Sequence, residues 1–288
     1  MPLHPAAPDD LGGLLDAFEQ TVQAVVDLGW GCRPEDFDKP SEVPDWTVRG
    51  QVSSVLAIEK AFALLLRDPQ PAGSGDVPSD RFARLFVVDV DIRQHWEGRS
   101  IVSALADFHP EHMEVIRTFA TDLDADVSEA FGPGATLRDQ LRRRIADVWI
   151  REQDIRVALD APGDLDSPAA AVYTGAILTA LPRVAARSAD IPPGHVIFID
   201  VTGPVRGRGG VRVVYGEDGR PYGEALFSGQ DRADADGDLP AEVTTVQLTT
   251  DALTRRAADR RRTDEIHFSV TGDEAAARHL LDALVVLP

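Results

Sequence analysis

The sequence predicts a mixed fold in two parts, an all-helical first half followed by a small α+β domain. Three observations carry this. Apolar residues recur at helical spacing through roughly the first 160 positions, the periodicity then changes to strand-like runs such as "HVIFIDVTG" and "VRVVYG", and 288 residues exceed what one small domain needs. The change of period places the domains at 1–165 and 166–288.

Leu14, Leu15, Phe18, Val22, Val25 and Val26 define a first helix, and the Pro- and Gly-broken "GWGCRPEDFDKPSEVPDW" after it reads as a loop. Thr47 is placed to cap a second helix with the stripe Val48, Val52, Val55, Phe62 and Leu66. Further helical patterns cover about 79–96 and 101–123, and Thr136 caps the helix that holds "VWIREQDIR". One more helix spans about 169–188. The second domain then reads as strands "HVIFIDVTG", "VRVVYG", "VTTVQLTT" and "EIHFSVTGD", with "GEDGRPYG" as a turn and "DALTRRAADRRR" and "EAAARHLLDALVVL" as helices.

Composition narrows the partners. With 29 Lys+Arg against 48 Asp+Glu the net charge is −19, which repels nucleic-acid phosphates and anionic membranes. A small-molecule ligand is the expected partner, and the sequence leaves the oligomeric state open. No apolar run reads as a membrane span and the N-terminus has no signal-peptide pattern, so a cytoplasmic location is expected. The single cysteine, Cys32, excludes an internal disulfide and reads as a partly buried structural thiol.

The stretch "VWIREQDIR" stands out because its helix carries two stripes. Leu141, Ile145, Val148, Ile155 and Leu159 form the apolar one, interrupted by Glu152, an acid that must be paired to be tolerated in a core. Asp147, Arg151 and Asp154 form the polar one; alone it would be a solvated face with an Asp147–Arg151 ion pair. Other motifs are weaker. "GPVRGRGG" leads into a strand, not a helix, and reads as a hairpin turn instead of a phosphate loop. His109 and His112 would need a third ligand to bind a metal and are expected at a helix surface. The run Arg260, Arg261, Arg262 is explained by the dipole at a helix C-terminus.

Taken together, "VPDWTVRGQVSSVLAIE", "RRRIADVWIREQDIRVALDAPGDLDSPAAAV", "FIDVTGPV" and "VTGDEAAARHLLDAL" resemble the mycothiol-dependent maleylpyruvate isomerase family of actinobacteria. The resemblance implies a DinB-like four-helix bundle followed by a sterol-carrier-like α+β domain. It also implies mycothiol as cofactor and a divalent metal held in the bundle by His, Glu and His. In this sequence those three catalytic positions correspond to Ser54, Asp147 and Arg151. Arg151 is a fixed cation that offers donors only, so the substitutions imply a degenerate site without a divalent metal, in which Asp147 and Arg151 pair within about 4 Å beside Ser54. Glu152, Gln153 and Asp154 match the family and are expected to serve helix packing and contacts between the domains.

Two function classes follow from the resemblance. One is a protein that binds a small anion or thiol conjugate in a cleft between the domains. The other is an active thiol-dependent isomerase or S-transferase, in which a thiolate attacks an electrophilic carbon and a metal or Arg151 stabilises the enolate.

Overall fold

The structure, a computed structural model, describes residues 5–69, 82–87, 95–226 and 242–287. It divides into two compact units, Ala7–Ala169 and one built mainly from Ala170–Pro288.

In the first unit α1 (Leu11–Gly31), α2 (Val48–Arg67), α3 (Gly98–Phe119) and α5 (Leu137–Ala158) form a four-helix bundle, with the one-turn α4 (Ser128–Phe131) leading into α5. α1 and α2 lie diagonally, each packing against both α3 and α5. The expected caps are in place: Thr47 and Thr136 accept from the backbone N–H groups of Gly50 and Asp139, closing donors that the first helical turn leaves open. The predicted loop after α1 contains a 3₁₀ turn, Pro34–Asp38, started by Pro34 and held by Arg33 and Lys39 on Asp36. Its Phe37 ring lies where a Cβ on Gly98 would stand, which allows the turn to sit against the start of α3. Of the helix expected over 79–96, residues 82–87 are helical; 79–81 and 88–94 lie outside the described residues.

The second unit is a five-stranded sheet of order β3-β2-β1-β4-β5, from β1 (His195–Thr202), β2 (Gly207–Tyr215), β3 (Pro221–Leu226), β4 (Glu242–Thr249) and β5 (Phe268–Thr271). β1 and β4 are parallel and the other pairs antiparallel. α6 (Pro168–Arg187) packs on the sheet through Leu178, Leu181 and Pro182, and α7 (Thr250–Ala257) and α8 (Glu274–Ala283) complete the unit.

Here the glycine-rich motif is corrected. Its first half, residues 203–206, is the expected hairpin turn between antiparallel β1 and β2, but Gly207, Gly209 and Gly210 lie inside β2, where a flat backbone lets α6 approach: a Cβ on Gly209 would sit 2.9 Å from Leu181 and 3.1 Å from Leu178. On β3, a Cβ on Gly223 would run into the backbone of Pro182. α6 is also long and apolar enough by composition to cross a membrane, contrary to the reading of the sequence; 61% of that stretch is buried, as suits a core helix.

The arginine run lies just beyond the C-terminal end of α7. α7 ends at Ala257, and the residue that organises its C-terminal side is Arg256. This buried guanidinium donates to the carbonyls of Leu281 (2.7 Å), Asp282 (3.0 Å) and Arg261 (2.9 Å) and pairs with Asp259. It thereby satisfies backbone oxygens at the end of α8. Arg262 pairs with Asp264 at the surface and Arg260 bonds the Ala258 carbonyl.

Candidate functional site

The polar stripe of α5 is not a solvated face. Asp154 is fully buried and accepts from Gln51 Nε2 of α2 at 3.3 Å. One turn earlier, Arg151 Nε–H donates to Ser54 Oγ at 2.8 Å, and Ser54 Oγ–H in turn donates to the Gln51 carbonyl at 2.7 Å. The seam between α2 and α5 is therefore polar in the middle of the bundle.

Two of the three positions singled out in the sequence meet through their side chains, Ser54 and Arg151. Asp147 joins them through its backbone: Arg151 Nη1 donates to its carbonyl oxygen at 3.0 Å. Its carboxylate points the other way, to Arg144 Nη1 at 3.1 Å. The expected Asp147–Arg151 salt bridge is thus replaced by an Asp147–Arg144 pair, because at i, i+3 the carboxylate reaches the buried guanidinium one turn back along the stripe. Phe82 and Phe86, from the helical stretch 82–87, lie on the same side, with the Arg144 guanidinium 4.1 Å and that of Arg151 5.6 Å from their ring centroids.

Arg144 was missed in the sequence because it reads as one of three consecutive arginines. The signal was its place, seven residues before Arg151 and so on the same face two turns earlier. Burial pulls its pKa down to about 10, with Arg143 and Arg151 adding to the effect and Asp147 opposing it, so it stays charged at neutral pH.

As a holder of a divalent cation this set is chemically unsuitable. Ser54 Oγ accepts from a guanidinium, Arg151 offers only N–H donors, and the one carboxylate is engaged by a second guanidinium. Among the described residues no group of three or more His, Cys, Asp or Glu is placed to hold a metal.

Glu152, on the opposite side of the stripe, is paired as its burial requires: Oε1 accepts from Arg156 Nε at 2.7 Å. Burial nevertheless dominates, and with the nearby charge of Asp164 it pushes the carboxyl up to about 8 against the pull of Arg156. Trp149 Nε1 and Gln153 Nε2 donate to the carbonyls of Asp164 and Gly163, so this helix straps the segment that follows it.

Two other expectations change. His109 and His112 are buried, not exposed: their Nδ1 atoms lie 2.7 and 3.3 Å from the two oxygens of Glu59, itself fully buried on α2. Cys32 is buried, donates to the Leu28 carbonyl at 3.3 Å, and has its thiol pKa pushed up by burial, which suits a structural thiol. It borders an open groove of about 600 Å³ together with Arg33, Lys39 and Arg156.

A helical bundle with a polar centre, followed by a mixed-sheet α+β unit, defines the class. A family model described as the mycothiol maleylpyruvate isomerase N-terminal domain matches residues 5–156. The chain belongs to that family. Two crystal structures of the mycothiol-dependent maleylpyruvate isomerase share the fold. One, of a histidine-to-alanine mutant, has a TM-score of 0.57 at 14% identity; the other has 0.55 at 13%. Each match covers 91% of this chain and 93% of that chain. No curated protein matches the sequence.

Proposed function

We propose that this chain is a member of the mycothiol-dependent maleylpyruvate isomerase family with a degenerate metal site, and that it binds a small anion or a thiol conjugate without a divalent metal. The observation that carries the reading is the 2.8 Å hydrogen bond from Arg151 Nε to Ser54 Oγ. It sets a permanent cation and a hydroxyl at two of the positions where the family resemblance implies histidine ligands. A guanidinium there repels a dication and attracts carboxylates, thiolates and enolates, so the charge preference of the bundle centre is inverted while its fold is kept.

Family membership favours a second reading, thiol-dependent isomerisation or S-transfer with Arg151 standing in for the electrophile. A guanidinium stabilises an enolate by hydrogen bonds and charge, so that chemistry needs the reacting oxygen within reach of its N–H groups.

The test is thermal denaturation of the purified protein with mycothiol, its conjugates and small dicarboxylates, each with and without a strong chelator. The reading expects ligand stabilisation that the chelator leaves intact and that Arg151→Met removes. Stabilisation abolished by the chelator and restored by zinc would contradict it.

A further inference from the structure

Arg144 and Arg256 are both buried arginines, and they differ in one respect. Arg256 spends Nε, Nη1 and Nη2 on three carbonyls and a carboxylate, the full set a structural guanidinium needs. Arg144, with only 4% of its side chain exposed, makes no hydrogen bond through Nε or Nη1. Its Nη1 faces Asp147 Oδ2 at 3.1 Å as an ion pair without the alignment of a hydrogen bond. Arg49, Arg142 and Arg212 also leave Nε unbonded, but Arg49 and Arg142 expose 29% and 36% of their side chains and Arg212 is only half-buried, so water can reach them.

A buried cation with open donors is costly unless something answers it. Its flat face is covered by the Phe82 ring, which leaves the N–H edge as the side that can be answered. The Nε–H and Nη–H groups of a guanidinium form a planar fork that matches the two oxygens of a carboxylate. Arg151 lies two turns further along the same stripe of α5, with its partner Ser54 facing it from α2.

Building on the anion-binding reading above, we infer that Arg144 is the anchor of that site and that the ligand it takes is a small carboxylate, held through the Nε–H edge of the guanidinium. Arg151, whose Nε and Nη1 are engaged by Ser54 Oγ and the Asp147 carbonyl, is a neighbouring wall of positive charge and not the primary contact.

Calorimetric titration of the full chain with pyruvate, maleate, inorganic phosphate and sulfate tests this in wild type, Arg144→Lys, Arg144→Met and Arg151→Met. Lysine keeps the charge and the apolar stem but not the fork, so Arg144→Lys should bind maleate and pyruvate at least about tenfold more weakly while circular dichroism stays unchanged. Should Arg144→Met fail to fold, the lysine variant still decides. In a ¹⁵N arginine spectrum the Nε–H signal lost in Arg144→Lys should be the one that moves on adding maleate to wild type. Unchanged affinity in Arg144→Lys alongside a large loss in Arg151→Met would overturn the assignment to Arg144 and leave the anion-binding reading standing. Tighter binding of phosphate or sulfate than of either carboxylate would overturn the ligand class. If none of the four anions binds wild type, the inference and the reading beneath it both fall.

Discussion

At the residue scale the bundle centre is governed by where charge is buried, and only part of that was legible in the sequence. Glu152 announced itself by interrupting an apolar stripe, and its partner Arg156 lies four residues on, within reach of helical geometry. Asp147 was misread because a sequence offers it three cations within helical reach, Arg143, Arg144 and Arg151, and only the packed structure chooses among them. His109 and His112 were misread because Glu59, which answers both, is fifty residues away on another helix. Glu152 supports a pH prediction. Its folded pKa, about 8, lies above its ordinary value of 4.5, so the folded chain holds this proton more tightly than the unfolded one. The contribution is complete below about 4.5 and is lost as pH rises through about 8, a change on the order of 5 kcal/mol at most. Urea denaturation between pH 6 and pH 9 should therefore show wild type losing stability as pH rises, and Glu152→Gln a flatter profile. Parallel profiles would mean that Glu152 is ionised across the range.

At the element scale the helices were legible because caps and periodicity agree: Thr47 and Thr136 sit where the apolar stripes begin, and both cap. The strand that begins in "GRGG" was not, because glycine carries no strand preference; its reason is α6 lying on the sheet, a tertiary cause invisible locally. Gly223 gives the sharper test, since its neighbour is the backbone of Pro182, which cannot rotate away as a side chain can. Gly223→Ala should cost about 3 kcal/mol by chemical denaturation, near the upper end for overpacking, although alanine is intrinsically at least as acceptable in a strand. A cost below about 0.5 kcal/mol would mean that α6 does not rest there. The end of α8 depends on Arg256 in the same way. Arg256→Met keeps much of the apolar stem but strands three carbonyls, and a loss of about 3 kcal/mol is expected. Arg256→Lys should recover only part of it, because one ammonium cannot span all three acceptors.

At the scale of the whole molecule, the two-part architecture and the family were legible from short motifs spread along the chain, and the family model and the shared fold of the isomerase structures agree with them. Overall charge was legible too, but it hides a local inversion. A chain of net charge −19 gathers Arg144 and Arg151 on one stripe of one helix, within the bundle, where burial and not the global balance sets what is attracted. The central proposal is that guanidinium groups stand at the bundle centre where the family resemblance implies a divalent metal, so that this centre binds an anion without one. Elemental analysis of untagged protein, purified without chelator, tests it most directly, with the Asp147→Asn variant alongside. The account predicts well under one equivalent of zinc, manganese, iron or nickel per chain in both proteins. One equivalent of any of them in wild type, lost in Asp147→Asn, would contradict it.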